Sequence, residues 1–360
     1  MVDFAGWELP VFYEAGAIAE HHATRNSVGL FDIGHMGQIE LAGADAIALA
    51  DLLSSSQMST LPVGAARYGL MCHDDGTVID DIIIYRTAAE TAMVVVNASN
   101  RETDLAWIES HVGNLDVAVT DRSDSLAMLA VQGPRAIELI DAASPTDIDA
   151  IERFTSARVE VLGVEALLGR TGYTGEDGVE LYIEGDDDAI TAVWSGLLAR
   201  AAELDIDAHA IGLGARDSLR FEAGYPLYGH ELSRDINPFE ARLGWAVTLD
   251  DETSGDNKPR DFIGAESLRR LKSEGLSRRL ETIVMVDKGV PREGSTVHAA
   301  DETILGESVS GMFAPTADVF AANVFVPRDK AEVGNEVKVD IRGKFKAAAI
   351  AKRPLYRKPS

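Results

Sequence analysis

The chain has 360 residues, 46% hydrophobic and 26% charged, ordinary globular proportions that exclude global disorder. At about 100–200 residues per domain, that length predicts two or three domains. Fifty-nine acids against 33 bases leave a formal net charge of −26, which argues against broad nucleic-acid or anionic-membrane binding. One cysteine, Cys72, excludes an internal disulfide and any multi-thiolate metal site. No stretch reaches the roughly 18 uninterrupted apolar residues of a membrane span. Met1-Val2-Asp3-Phe4 lacks the basic patch and apolar core of a signal peptide, so a cytoplasmic protein without membrane attachment is expected. The bases are skewed, with 24 Arg against 9 Lys and the first lysine only at Lys258. Lysine avoidance with strong acidity predicts a halophilic protein adapted to molar salt, where the Debye length falls to about 3 Å and self-repulsion fades.

In chain order, Gly37–Leu41 alternates like a half-buried strand, and Asp45–Leu53 carries Ile47, Leu49, Ala50 and Leu53 at helical spacing. Val78–Tyr85 and Ala92–Asn97 read as adjacent strands of one sheet. Arg101–Val112 reads as a helix with Asn100 as its N-cap. Arg158–Gly169 and Val179–Ile183 read as strands, and Ile190–Leu204 as a helix. Gly214–Glu222 is a short helix carrying Arg216 and Arg220 four apart. Asp251–Arg260 is polar with Gly and Pro, which predicts a linker or loop. Beyond Arg279 short β runs recur about every 8–14 residues, predicting a small β-barrel or sandwich. These runs are Glu281–Val286, Thr296–His298, Gly306–Met312, Val319–Val326, Glu336–Ile341 and Ala347–Ala351. The class is α+β with an all-β tail.

Three segments could carry chemistry. Asp80-Asp81 interrupts an otherwise apolar strand, and alternation sends the two side chains to opposite faces. At least one carboxylate therefore enters the buried side, either capped by backbone amides or arginine, or used as a positioned acid or base or a cation-binding group. The same alternation puts Ile83 and Tyr85 on the face of Asp81. Arg170–Gly178 holds three glycines within seven residues, a tight loop that leaves Tyr173 and Glu180 free to face a ligand. The two arginines of Gly214–Glu222 either pair with Asp217 or Glu222, or present a planar fork to a carboxylate ligand. No metal site is expected, since the eight histidines show no ligand spacing. Gly212-Leu213-Gly214 lacks the third glycine of a dinucleotide fingerprint, and neither a Walker loop nor a Gly-x-Ser-x-Gly elbow occurs.

Taken in order, these segments resemble one family over essentially the whole chain: the glycine cleavage T-proteins. The resemblance rests on Asp3-Phe4-Ala5-Gly6-Trp7, Phe31–Gly37, the Asp80-Asp81 strand, Arg170–Gly178 and Gly212–Asp217. Asn237-Pro238-Phe239-Glu240, Asp261-Phe262-Ile263-Gly264 and Lys352–Tyr356 continue it. Relatives usually carry a longer leader before the first motif, which Met1 nearly opens here. The resemblance implies an α+β, three-domain cloverleaf fold that binds folate. Residues 1–38 and 122–230 would form the discontinuous first domain, 39–121 and 231–265 the second, and 266–360 the C-terminal β-barrel. It implies aminomethyltransferase activity: the methylene of an aminomethyl group on the lipoyl arm of H-protein passes to tetrahydrofolate, releasing ammonia. Tetrahydrofolate is then a co-substrate, no metal is required, and lipoate resides only on the partner. By the same resemblance Asp81 is the catalytic carboxylate, Glu180 and Arg216 contact the folate, and Tyr68, Tyr85, Asn97, Tyr173 and Tyr356 line its site. A folate-dependent demethylase of another small methyl donor, or a non-catalytic folate-binding protein, are the alternatives.

Overall fold

A computed structural model describes residues 1–185, 187–253 and 258–358. Three sheets organise it. The first has six strands in the order Ser156–Val161, Val164–Gly169, Gly178–Glu184, Leu126–Gln132, Val28–Asp32 and Ala208–Ala210, all antiparallel except the last, parallel pair. The second has five antiparallel strands in the order Ala66–Cys72, Val78–Ala88, Thr91–Val96, Gly37–Ala42 and Ala118–Asp121. The third is the expected C-terminal barrel, closed by six strands between Arg278 and Ala351.

The first two sheets pack face to face. Phe31, Ile33, Ala130 and Tyr182 of one interleave with Ala66, Tyr85, Met93 and Val95 of the other in a shared core. Helices cover the outer faces. Ala136–Ala142 and Asp187–Glu203 bury Leu139, Ile140, Val193 and Leu197 on the first sheet. Ala46–Leu53 and Arg101–Ser110 bury Leu49, Leu53 and Ile108 on the second. The central strands Leu126–Gln132 and Thr91–Val96 are mostly apolar on both faces, as a doubly covered sheet requires, whereas the edge strands Ser156–Val161 and Ala118–Asp121 carry exposed residues on one face. The helix-facing set of Val78–Ala88 is Asp80, Ile82 and Ile84, and Asp81, Ile83 and Tyr85 point between the sheets. A further cluster of Leu70, Cys72, Leu232, Phe262, Leu268, Leu280 and Phe325 joins the second sheet to the barrel.

Several local expectations are corrected. Arg158–Gly169 is not one strand but a hairpin, because Leu162 and Gly163 both take positive φ and turn the chain between Val161 and Val164. Asn100 stands at the N-cap of the Arg101–Ser110 helix, as expected, but its side chain makes no capping bond; its amide donates to the Asp80 carboxylate at 2.8 Å. The buried anion is the stronger acceptor, so the side chain turns inward. The Asp251–Arg260 segment is a loop whose residues 254–257 lie outside the described residues, but its end is anchored. The Arg260 guanidinium is buried and donates to the carbonyls of Ser55 at 2.8 Å and Ser54 at 2.7 Å.

Candidate active site

A cavity of about 500 Å³ opens where the inter-sheet space meets the Leu213–Ala223 helix and the chain's C-terminal segment. Its reactive floor comes from strand alternation in both sheets. Val179, Leu181 and Ile183 point out to the helices, so Glu180 points inward, and Asp81 points inward from the opposing sheet. Local geometry builds the walls. A Cβ on Gly172 would lie 1.9 Å from Gln132 Oε1, so only glycine lets the Arg170–Gly178 loop lie against its neighbour and present Tyr173 to the cavity. Gly224, at φ 78°, ends the Leu213–Ala223 helix in the left-handed conformation and turns Tyr225 and Pro226 into the same wall.

The two acids of Val78–Ala88 differ sharply. Asp80 is completely buried and accepts three N–H bonds: from the Asn97 backbone at 2.9 Å, the Asn97 amide at 2.8 Å and the Asn100 amide at 2.8 Å. Asp81 accepts from the Tyr68 hydroxyl at 3.1 Å and the Asn97 amide at 2.9 Å, with its remaining lone pairs toward the cavity. Burial, and after it the Asp80 charge, push its carboxyl up to about 7. That value suits a group exchanging a proton near neutrality.

Around Asp81 the cavity is aromatic, apolar and then cationic. Tyr68 stacks on Trp245 with centroids 5.3 Å apart, and Trp245 is 70% exposed, an indole open to a flat ligand. Ile33, Met36, Val95 and Met128 supply apolar wall. Tyr173 stacks on Tyr225 and donates its hydroxyl to the Pro226 carbonyl. The Arg216 guanidinium lies 4.7 Å over the Tyr173 ring, with no carboxylate within ion-pair distance among the described residues. Glu180 accepts from Thr171 at 2.5 Å and Tyr85 at 3.3 Å, and burial raises its pKa. Arg353, mostly enclosed and pushed down to about 10 by burial, donates to the Gly224 carbonyl and keeps Nη1 unpartnered.

Six of the eight residues singled out in the sequence therefore converge: Asp81, Tyr68, Asn97, Tyr173, Glu180 and Arg216. Tyr85 and Tyr356 do not line the cavity. Tyr85 sits beneath it in the inter-sheet core, where it holds Glu180, and the Tyr356 ring packs under the Arg25 guanidinium at 3.7 Å. Trp245 and Arg353 were missed. Arg353 lies within the quoted closing motif, which was the one available signal; Trp245, in a short turn, offered no periodicity to read. Among the described residues no three His, Cys, Asp or Glu side chains converge as a metal site. The arrangement suits a flat heteroaromatic ligand with a donor edge for Glu180 and Asp81, a face for Trp245, and an anionic group for arginine.

Residues 1–251 match the GCVT N-terminal domain family, and residues 278–357 match the glycine cleavage T-protein C-terminal barrel domain. The chain is similar to the aminomethyltransferase of Symbiobacterium thermophilum, at 44% identity over all of this chain and 94% of that one. It is 44% identical to that of Geobacillus kaustophilus, over 99% of this chain and 94% of that one. Its structure resembles the crystal structure of the glycine cleavage system aminomethyltransferase T from Bartonella henselae, with a TM-score of 0.89 and 30% identity over 99% of this chain and 94% of that one. With the cavity and both domain matches in agreement, this chain belongs to the aminomethyltransferase (T-protein) family of the glycine cleavage system.

Proposed function

We propose that the chain performs tetrahydrofolate-dependent aminomethyl transfer in glycine cleavage, with Asp81 as the reactive carboxylate. The observation that carries this reading is Asp81 at the floor of a 500 Å³ cavity, held by Tyr68 and Asn97 and raised to about 7. The donor is an aminomethyl thioether on the lipoyl arm of H-protein. Its carbon forms two bonds to folate nitrogens as its C–N and C–S bonds break. The two displaced N–H hydrogens end on ammonia and on the freed thiol. Asp81 accepts a hydrogen bond from the attacking amine, takes its proton and stabilises the developing cation on the one-carbon unit. Glu180 fixes the pterin's donor edge, Trp245 and Tyr68 hold its face, and Arg216 and Arg353 receive the anionic tail.

We further read residues 1–38 with 122–230, 39–121 with 231–265, and 266–360 as the three domains, because each holds one of the three large sheets, apart from Gly37 and Gln38, which open the second sheet's Gly37–Ala42 strand. A cytoplasmic location belongs to the same reading; among the described residues no helix is long and apolar enough to cross a membrane. The charge of −26 and the late first lysine support adaptation to high salt. Incubating the protein with tetrahydrofolate and aminomethyl-loaded H-protein tests the reaction directly. Release of ammonia with formation of methylene-folate is expected. Turnover with a small methylated amine and none with H-protein would favour a demethylase instead.

A further inference from the structure

Behind the reactive carboxylate lies an acid with no evident partner. Asp104, in the Arg101–Ser110 helix, is completely buried, and neither of its oxygens meets an N–H or hydroxyl donor among the described residues. The group that acts on it most strongly is the buried carboxyl of Asp80, which Asn100, one turn earlier on the same helix, already holds. Two ionised carboxylates cannot adjoin in a low-dielectric core, so one of them carries a proton. The donors decide which. Asp80 already accepts three N–H bonds, as an anion does, whereas Asp104 has none and gains only by donating.

We propose that Asp104 is a protonated carboxylic acid that donates a hydrogen bond to Asp80 and, through Asp80 and Asn97, positions Asp81. The path is continuous: Asp104 acts on Asp80, Asp80 holds the backbone and amide of Asn97, and the Asn97 amide donates to Asp81 at 2.9 Å. Burial, then the Asp80 charge, raise the Asp104 carboxyl to about 11, in agreement with a proton kept at neutral pH. The other charged or titratable groups acting on it are Asp81, Arg234 and Tyr228. Asp104 is a positioning residue. It also keeps Asp80 ionised, and that charge is part of what raises Asp81.

The proposal rests on Asp81 as the reactive group, and the tests separate the two. Asn at position 104 still offers an N–H donor; Leu offers none. Asp104→Asn should keep kcat within about threefold of wild type, while Asp104→Leu should lose about 10–100-fold in kcat with KM for tetrahydrofolate little changed. Without the donated bond Asp80 takes up a proton more readily, so the acid limb of the Asp104→Leu pH profile should move below pH 7. A leucine variant with wild-type kcat and limb, or an asparagine variant as damaged as the leucine one, overturns the assignment.

Two readouts need no turnover and hold even where Asp104→Leu fails to fold. The infrared difference between wild type and Asp104→Asn at neutral pH should contain a protonated-carboxyl C=O band; its absence overturns the proposal. The second is stability. Above its ordinary pKa of about 3.9 the unfolded chain releases the Asp104 proton that the folded chain keeps, so wild-type stability falls as pH rises toward 11. The melting-temperature difference should therefore shift in favour of Asp104→Asn between about pH 5 and pH 8. A difference that is flat or moves the other way counts against a buried neutral acid.

Discussion

In the Leu213–Ala223 helix, Arg220 is enclosed by Asp217 and Glu231 at 2.7 Å each, whereas Arg216, one turn earlier, faces the cavity with no carboxylate in ion-pair distance among the described residues. The Val78–Ala88 strand repeats the contrast with acids. Asp80 is held by three N–H donors from the protein, and Asp81, its neighbour, keeps acceptor capacity toward the cavity. In both elements one charge is satisfied by protein and the other is left for a ligand. The satisfied member braces the fold: Arg220 leads through Glu231 to Ser310 and Asn323 of the barrel, and Asp80 leads to Asn97. The unsatisfied member carries a burial cost that a bound substrate offsets, which is how active sites come to hold perturbed groups.

The comparison breaks most visibly at the acids. Asp81→Asn keeps shape and removes charge, so transfer should fall by about 10²–10⁴ with folding nearly unchanged. Asp80→Asn turns an acceptor into a donor opposite three N–H groups and should cost about 1–3 kcal/mol of stability by denaturant titration. Near-full activity in Asp81→Asn with a dead, folded Asp80→Asn would reverse the roles. At the arginines, Arg220→Met strands the buried Glu231 carboxylate. Burial by itself would raise that group, but Arg220, Asn323 and Ser310 outweigh it and hold it near 2. The loss should be about 3–5 kcal/mol in stability. Arg216→Lys should leave the melting temperature alone and weaken tetrahydrofolate binding by about 1.5–3 kcal/mol in calorimetry. A melting-temperature loss with folate affinity intact would make Arg216 a brace like Arg220.

Two smaller effects sharpen the contrast. Asp81 must be ionised to accept a proton, so activity should rise with pH through about 7, and that limb should vanish in Asp81→Asn. A wild-type profile flat from about pH 5 to 8 would contradict a raised Asp81. Salt acts on the whole surface and not on the enclosed pairs. The melting temperature should climb between ~0.1 M and ~2 M KCl, while the Arg220→Met stability difference stays constant. An unchanged wild-type melting temperature would remove the case for salt adaptation.

Much of this contrast was legible along the chain. Period-2 alternation separates Asp80 from Asp81 and puts Tyr85 on the face of Asp81, because a strand's side-chain directions are a local property. Depth is not local, so Tyr85 proved to be floor support and not wall. Tyr356 and Arg353 stand three residues apart, yet the cation reaches the cavity and the ring packs on Arg25. The N-cap position of Asn100 was legible because it depends only on the next turn; its side chain's partner, Asp80, twenty residues away, was not.

Composition and local period by themselves determined the α+β class, an all-β C-terminal region (a barrel or a sandwich) and the opposed faces of Asp80 and Asp81. Packing decided the rest. Which of two like charges on one element is satisfied depends on partners brought from distant segments: the donors Asn97 and Asn100 for Asp80, the acceptor Glu231 for Arg220. The exposure of Trp245, the unpartnered Nη1 of Arg353 and the lack of N–H donors around Asp104 likewise exist only once the sheets, helices and barrel have closed around them. The physical reason is that burial and partner count are sums over space, whereas side-chain direction is set by the backbone at one residue.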